Sequence, residues 1–148
     1  MNATDRRVYE TEVLATPERI WQALTDPGVT EQYFFGTRVE SDWSDKAPIR
    51  YRNAEGGVDA DGEILEASEN RRLSYTFRPA WSPSSQAVKP GTVSWEIEPS
   101  GRASKVTLTH DGFDFDSPGG DQVDSGWVLT LSSLKALLET GKPPKPGG

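Results

Sequence analysis

Five apolar residues near the C-terminus, Val123, Trp127, Leu131, Leu134 and Leu138, recur at steps of three or four. That spacing puts them on one stripe of a helix predicted from about Asp121 to Glu139, with Gly141 placed to stop it. A helix of about 19 residues is about 28 Å long. Its stripe has to be buried, and nearly everything before it reads as strands, so the burying surface has to be a sheet. One long helix against an otherwise strand-rich chain narrows the choice of fold more than any other feature.

The strands are read from period-two alternation. "RRVYETEVLA" (residues 6–15) is the first. "TPERIWQALTD" then signals a helix: Thr16 as N-cap, Pro17 in the first turn, Glu18 at the positive end of the dipole, and Ile20, Trp21 and Leu24 on one face. "DPG" at 26–28 breaks it, and "VTEQYFFG" is a short second turn carrying Tyr33 and Phe34 before Gly36. From Thr37 to Asp111 strands and turns repeat. "TRVESDW" and "APIRYRN" are strands, the latter with Ile49 and Tyr51 on one face and Arg50 and Arg52 on the other. "VDADGEILEASEN" and "RRLSYTFRP" form a hairpin about Glu69 and Asn70, its second arm presenting Leu73, Tyr75 and Phe77 together. The clearest hairpin runs from Gly91 to Phe113: Val93, Trp95 and Ile97 alternate along its first arm, "PSG" turns, and Val106, Leu108 and His110 alternate along the second. Residues 79–90, with three prolines, read as a long exposed loop.

The predicted fold class is therefore α+β: a curved antiparallel sheet of about six to seven strands around the C-terminal helix, with two short helices between the first two strands. Residues 1–141 are expected to form one domain and 142–148 a disordered tail.

The 148 residues carry a net charge of −7 with the signs interspersed, which disfavours nucleic acid and anionic membrane surfaces. There is no cysteine, so disulfides, thiolate catalysis and cysteine-held metals are excluded. The first ten residues lack a signal-peptide pattern, and no run is long enough to span a bilayer, so the expected location is the cytoplasm. No cofactor is implied.

Chemistry is sought first in "HDGFDFDSPGGDQVDSGW", which begins at the only histidine. As a calcium loop, Asp114 and Asp116 start well, but Pro118 and Ser125 occupy ligand positions and the pattern fails. His110 is a candidate acid/base. Asp111, its neighbour on a strand, points the other way, so Asp114 or Asp124 would have to orient it. The plain alternative is a hydrogen-bonded histidine at a cavity rim; no metal site follows from one histidine. Glu96 and Glu98 fall on the outer face. So do the arginines at 50, 52, 71, 72 and 78 for the most part, though one turned inward would favour an anionic ligand.

The aromatic residues are the richer signal. Tyr51, Tyr75, Phe77, Trp95 and Trp127 are predicted to face inward with Leu131, while Tyr33, Trp43, Trp81 and Phe113 lie in or near loops. Each ring alone is explained by core packing. Together, in a sheet curled round a helix, they outline an apolar hollow with a few polar handles, the usual form of a ligand site. A small hydrophobic or aromatic molecule is the expected partner.

Four motifs in order resemble one family. "ATPERIWQALTDPG" looks like the opening helix of the activator of Hsp90 ATPase homologue 1-like group within the START-like superfamily. "DGEILEASENRRLSYTF" resembles its central hairpin, and "VTLTHDGF" with "GW" and "LSSLKALLETG" its closing strand and helix. The resemblance covers about Val8 to Gly141. It implies a helix-grip fold with an internal cavity for a lipid-like or polyketide-like ligand. It also raises two other expectations: a cyclase or hydrolase using His110, and a stress-response module that meets a chaperone, another protein or a second copy of itself.

Overall fold

A computed structural model describes residues 6–79, 91–112 and 120–141. The residue 80–90 loop, Phe113, the 114–119 acidic stretch and the 142–148 tail lie outside the described residues. Seven strands form one antiparallel sheet in the order β1-β7-β6-β5-β4-β3-β2. They are β1 (Arg6–Val13), β2 (Arg38–Glu40), β3 (Pro48–Arg52), β4 (Val58–Ser68), β5 (Arg72–Pro79), β6 (Gly91–Ser100) and β7 (Ala103–Asp111). Helices α1 (Pro17–Thr25) and α2 (Pro27–Tyr33) separate β1 from β2, and α3 (Gly120–Thr140) closes the chain. No helix among the described residues is long and apolar enough to cross a membrane.

Local signals explain the element ends. The Thr16 hydroxyl accepts from the Arg19 amide at 3.2 Å, capping α1. Asp26 does two jobs: its amide donates to the Gln22 carbonyl, closing α1, while its carboxylate accepts from the Gly28 amide and caps α2. The sequence break at 26–28 is thus also a helix start. Gly141, at φ 78°, donates to the Leu137 carbonyl and stops α3 as expected. The strand expected over residues 37–43 is shorter, ending at Glu40, and Trp43 turns off at φ 64°. Within α1, Ile20, Ala23 and Leu24 are buried, whereas Trp21 is only partly covered at the flank.

Alternation sorts the sheet into two faces. Leu73, Tyr75 and Phe77 of β5, Val93, Trp95 and Ile97 of β6, and Val106, Leu108 and His110 of β7 are buried beneath α3. The registers Leu73↔Trp95, Tyr75↔Val93, Trp95↔Leu108 and Val93↔His110 set these side chains in rows across three strands. A register shift between Ile64 and Glu66 keeps Ile64 in the core and sends Leu65 outward. On the opposite face Arg52 pairs with Glu40 at 2.7 Å, Arg78 with Asp61 at 3.0 Å and Arg72 with Glu66 at 3.6 Å. Such exposed pairs contribute little stability.

Candidate functional site

Trp127 is the hub of the space between sheet and α3. Its ring meets Phe77 at 5.1 Å between centroids, Phe34 and His110 at 5.8 Å each, and Trp95 at 6.1 Å. Three of these contacts are edge-to-face, the arrangement the ring quadrupole favours. Phe34, just past the end of α2, stacks on Tyr51 at 4.5 Å with planes 11° apart. The rings of α2, β3, β5, β6 and α3 therefore form one continuous cluster, and Leu131 extends it along α3.

Three tyrosines and Trp95 supply polar atoms to this apolar volume. The Trp95 indole N–H donates to the Tyr75 oxygen at 3.0 Å, and the Tyr75 and Tyr51 hydroxyls share a hydrogen bond at 2.9 Å. Tyr33 donates to the Ala23 carbonyl at 2.7 Å, tying α2 to α1. Burial pushes the Tyr75 phenol up to about 12, with the bonds from Tyr51 and Trp95 pulling the other way. Burial likewise raises Tyr33 and Tyr51 well above the ordinary tyrosine range. All three stay protonated at neutral pH, so none brings charge inside.

His110 faces inward beside Val106 and Leu108, as the alternation predicts, but it is fully buried rather than at a rim. Its Nδ1 accepts from the Trp127 indole N–H at 2.9 Å, which leaves the ring an acceptor at that atom. Asp124, one of the two carboxylates expected to orient it, instead accepts from the Tyr9 hydroxyl and lies 3.6 Å from Arg7. Desolvation lowers the His110 pKa to about 3, so the imidazole is neutral at physiological pH. The folded pKa lies below the unfolded value near 6.5, so between pH 6.5 and 3 the unfolded chain holds the extra proton. Stability is full above pH 6.5 and is expected to fall by about 1.4 kcal/mol per pH unit below it. Urea midpoints between pH 7 and 5 check this, with His110→Gln flattening the part of the slope that the imidazole causes.

Among the described residues the rings interdigitate closely between the sheet and α3. What remains is a space of about 20 Å³ lined by Phe34, Phe35, Phe77, Val123, Trp127 and Thr130, beside Gly126. That is room for about one water. It opens between the α2–β2 corner and the first half of α3. Larger hollows of about 550 and 420 Å³ lie on the outer face of the sheet. They are walled by ionic side chains such as Arg72 and Glu96, with no aromatic lining among the described residues, so the inner cleft is the better candidate site.

Of the rings expected at the mouth, Tyr33 belongs to α2 and is buried, and Trp43 sits half-buried between β2 and β3. Trp81 and Phe113 lie outside the described residues, as does Asp114. Sequence reasoning did not single out Phe35, Gly126 or Thr130 for the site. The available signal was "YFFG", three rings in a row before a glycine in a polar chain.

Residues 14–139 match the family described as activator of Hsp90 ATPase homolog 1-like protein. No curated protein sequence matches the chain. Among solved structures, protein MLL2253 from Mesorhizobium loti superposes with a TM-score of 0.75 at 24% identity, over 90% of this chain and 96% of that one. The Aha1 dimer from Colwellia psychrerythraea gives 0.74 at 20% identity, over 93% and 98%. DynU16, a putative protein in the dynemicin biosynthetic locus, gives 0.73 at 23% identity over 94% of this chain and 49% of its own length. These likenesses establish a shared helix-grip fold. The match takes in α1, α2, the sheet from β2 to β7 and nearly all of α3: the chain belongs to the activator of Hsp90 ATPase homolog 1-like family.

Proposed function

We propose that the chain binds a small, neutral, hydrophobic or aromatic molecule between the sheet and α3. The observation that carries this reading is the convergence of Phe34, Phe77 and Trp127 on one cleft, with the Tyr51–Tyr75–Trp95 hydrogen-bond chain buried behind it. Apolar walls with a few fixed polar atoms suit such a guest. A flat ring entering this cluster gains edge and face contacts together with about 25 cal/mol per Å² of buried apolar surface. Among the described residues no charged side chain lines the cleft, and an unpaired charge placed there would lose its hydration without a partner. The guest is therefore neutral. Because the cleft is nearly filled, binding includes displacement of a ring, a population shift toward an opened form. Family membership supports the reading, since the group's fold suggests ligand binding or a polyketide-cyclase-like protein.

Titration with Nile red, a neutral planar dye whose emission rises in apolar surroundings, tests the proposal. Wild-type protein is expected to bind one equivalent. Tyr75→Phe and Trp95→Phe, which remove hydrogen-bonding atoms and keep most of the volume, are expected to weaken binding about tenfold, one hydrogen bond's contribution. Unchanged binding in both variants, with the fold intact, would count against an internal site.

A further inference from the structure

We propose that Phe35 is the door of this site and Gly126 its sill. A planar neutral guest enters between the α2–β2 corner and α3 by displacing the Phe35 ring, and bulk at these two positions sets the entry rate. The inference rests on the ligand-binding reading above and adds the route.

Four observations lead to it. First, Phe35 stands at φ 54° and is followed by Gly36 at φ 70°. A large side chain rarely takes the left-handed region, so the turn holds this ring where local preference would not. Second, Phe35 is 57% exposed, while Phe34, Phe77, Val123, Trp127 and Thr130 around the same cleft are buried. It is the lining ring that moves with the least loss of packing. Third, the base of the corner is fixed. Thr37 donates through its amide and hydroxyl to the Phe34 carbonyl, and Thr30 donates to the Thr37 carbonyl and accepts from the Val39 amide. A tip of two residues thus turns on an anchored base, the usual build of a small gate.

Fourth, Gly126 lies inside α3, where alanine is the better helix former. Packing in the closed form does not require glycine: an added Cβ would stand 3.6 Å from the nearest Phe35 atom, an ordinary contact. Without a side chain it leaves a strip of bare helix beneath the Phe35 ring. The Gly126 carbonyl is occupied by the Thr130 hydroxyl at 2.7 Å, so the strip presents little unsatisfied polarity to a flat apolar guest.

Stopped-flow mixing with Nile red decides the matter, with melting temperature recorded for each variant. Phe35→Ala is expected to raise the association rate at least tenfold, and Phe35→Trp to lower it. Gly126→Leu, which fills the sill, is expected to lower it at least tenfold. If Gly126→Leu fails to fold, the Phe35 pair carries the test. Wild-type rates in the Phe35 variants, alongside weakened binding in Tyr75→Phe, would overturn the door while leaving the internal site standing. No dye binding to wild type or any variant would overturn both.

Discussion

Trp127→Ala is expected to destabilise the fold by about 5 kcal/mol, enough to unfold a chain of ordinary stability at moderate urea. Trp127 is 3% exposed and contacts four rings from α2, β5, β6 and β7. Truncating a large buried side chain costs about 3–5 kcal/mol through lost transfer energy and the cavity left behind. A further loss follows here, because His110 Nδ1 loses the indole donor that satisfies it. A buried polar atom stripped of its partner costs about 1–3 kcal/mol. Trp127→Phe separates the two effects. It keeps most of the packing, removes the N–H, and is expected to cost about 2 kcal/mol. Urea melts read both variants as a lowered midpoint at constant slope. A cost below about 2 kcal/mol for the alanine variant would mean that the rings around Trp127 close up without it.

Gly62→Ala is the second large effect, and it arises in the backbone. A Cβ at Gly62 would lie 1.6 Å from the Thr76 carbonyl oxygen and 2.6 Å from its carbon. No rotamer relieves that clash, because the obstacle is the facing strand. β4 and β5 would have to separate where Asp61 and Ile64 pair with Arg78 and Tyr75. The hydrogen bond from the Glu63 amide to the Thr76 hydroxyl would break with them. The expected cost is about 3 kcal/mol or more, at the upper end for overpacking. Gly57→Ala is the control, since its Cβ meets only the Asn53 side chain at 3.2 Å, and it is expected to change stability by less than about 1 kcal/mol. Amide exchange should localise the damage to β4 and β5 in the Gly62 variant. Equal melting temperatures for the two variants would contradict the clash.

These two sites show what could be read from the chain and what could not. The α3 stripe and the alternation in β5, β6 and β7 identify inward residues because period and burial are local properties of an element. The same alternation puts His110 on the inner face, where it is buried. Its partner was not legible: Trp127 comes from another element, and only the crossing of α3 over β7 brings the two together. The Tyr51–Tyr75–Trp95 chain is hidden for the same reason, being assembled from β3, β5 and β6. The size of the hollow is not legible in the sequence, because volume depends on how rings interdigitate, which no periodicity encodes. Phe34 and Phe35 are adjacent in sequence, yet one is buried and the other exposed. The left-handed turn at Phe35 separates their directions, and "FFG" reports that only through its glycine.

The central claim is that the space between the sheet and α3 accepts a neutral aromatic guest, and the Trp127 indole N–H reports on it most directly. Its ¹⁵N–¹H resonance, assigned by its loss in Trp127→Phe, can be followed during titration with Nile red. A saturable one-to-one shift of that resonance, accompanied by the backbone amides of Gly126 and Thr130, is the expected result. A resonance that stays still while Ser94 and Thr109 on the outer face respond, or while nothing responds, would contradict the account.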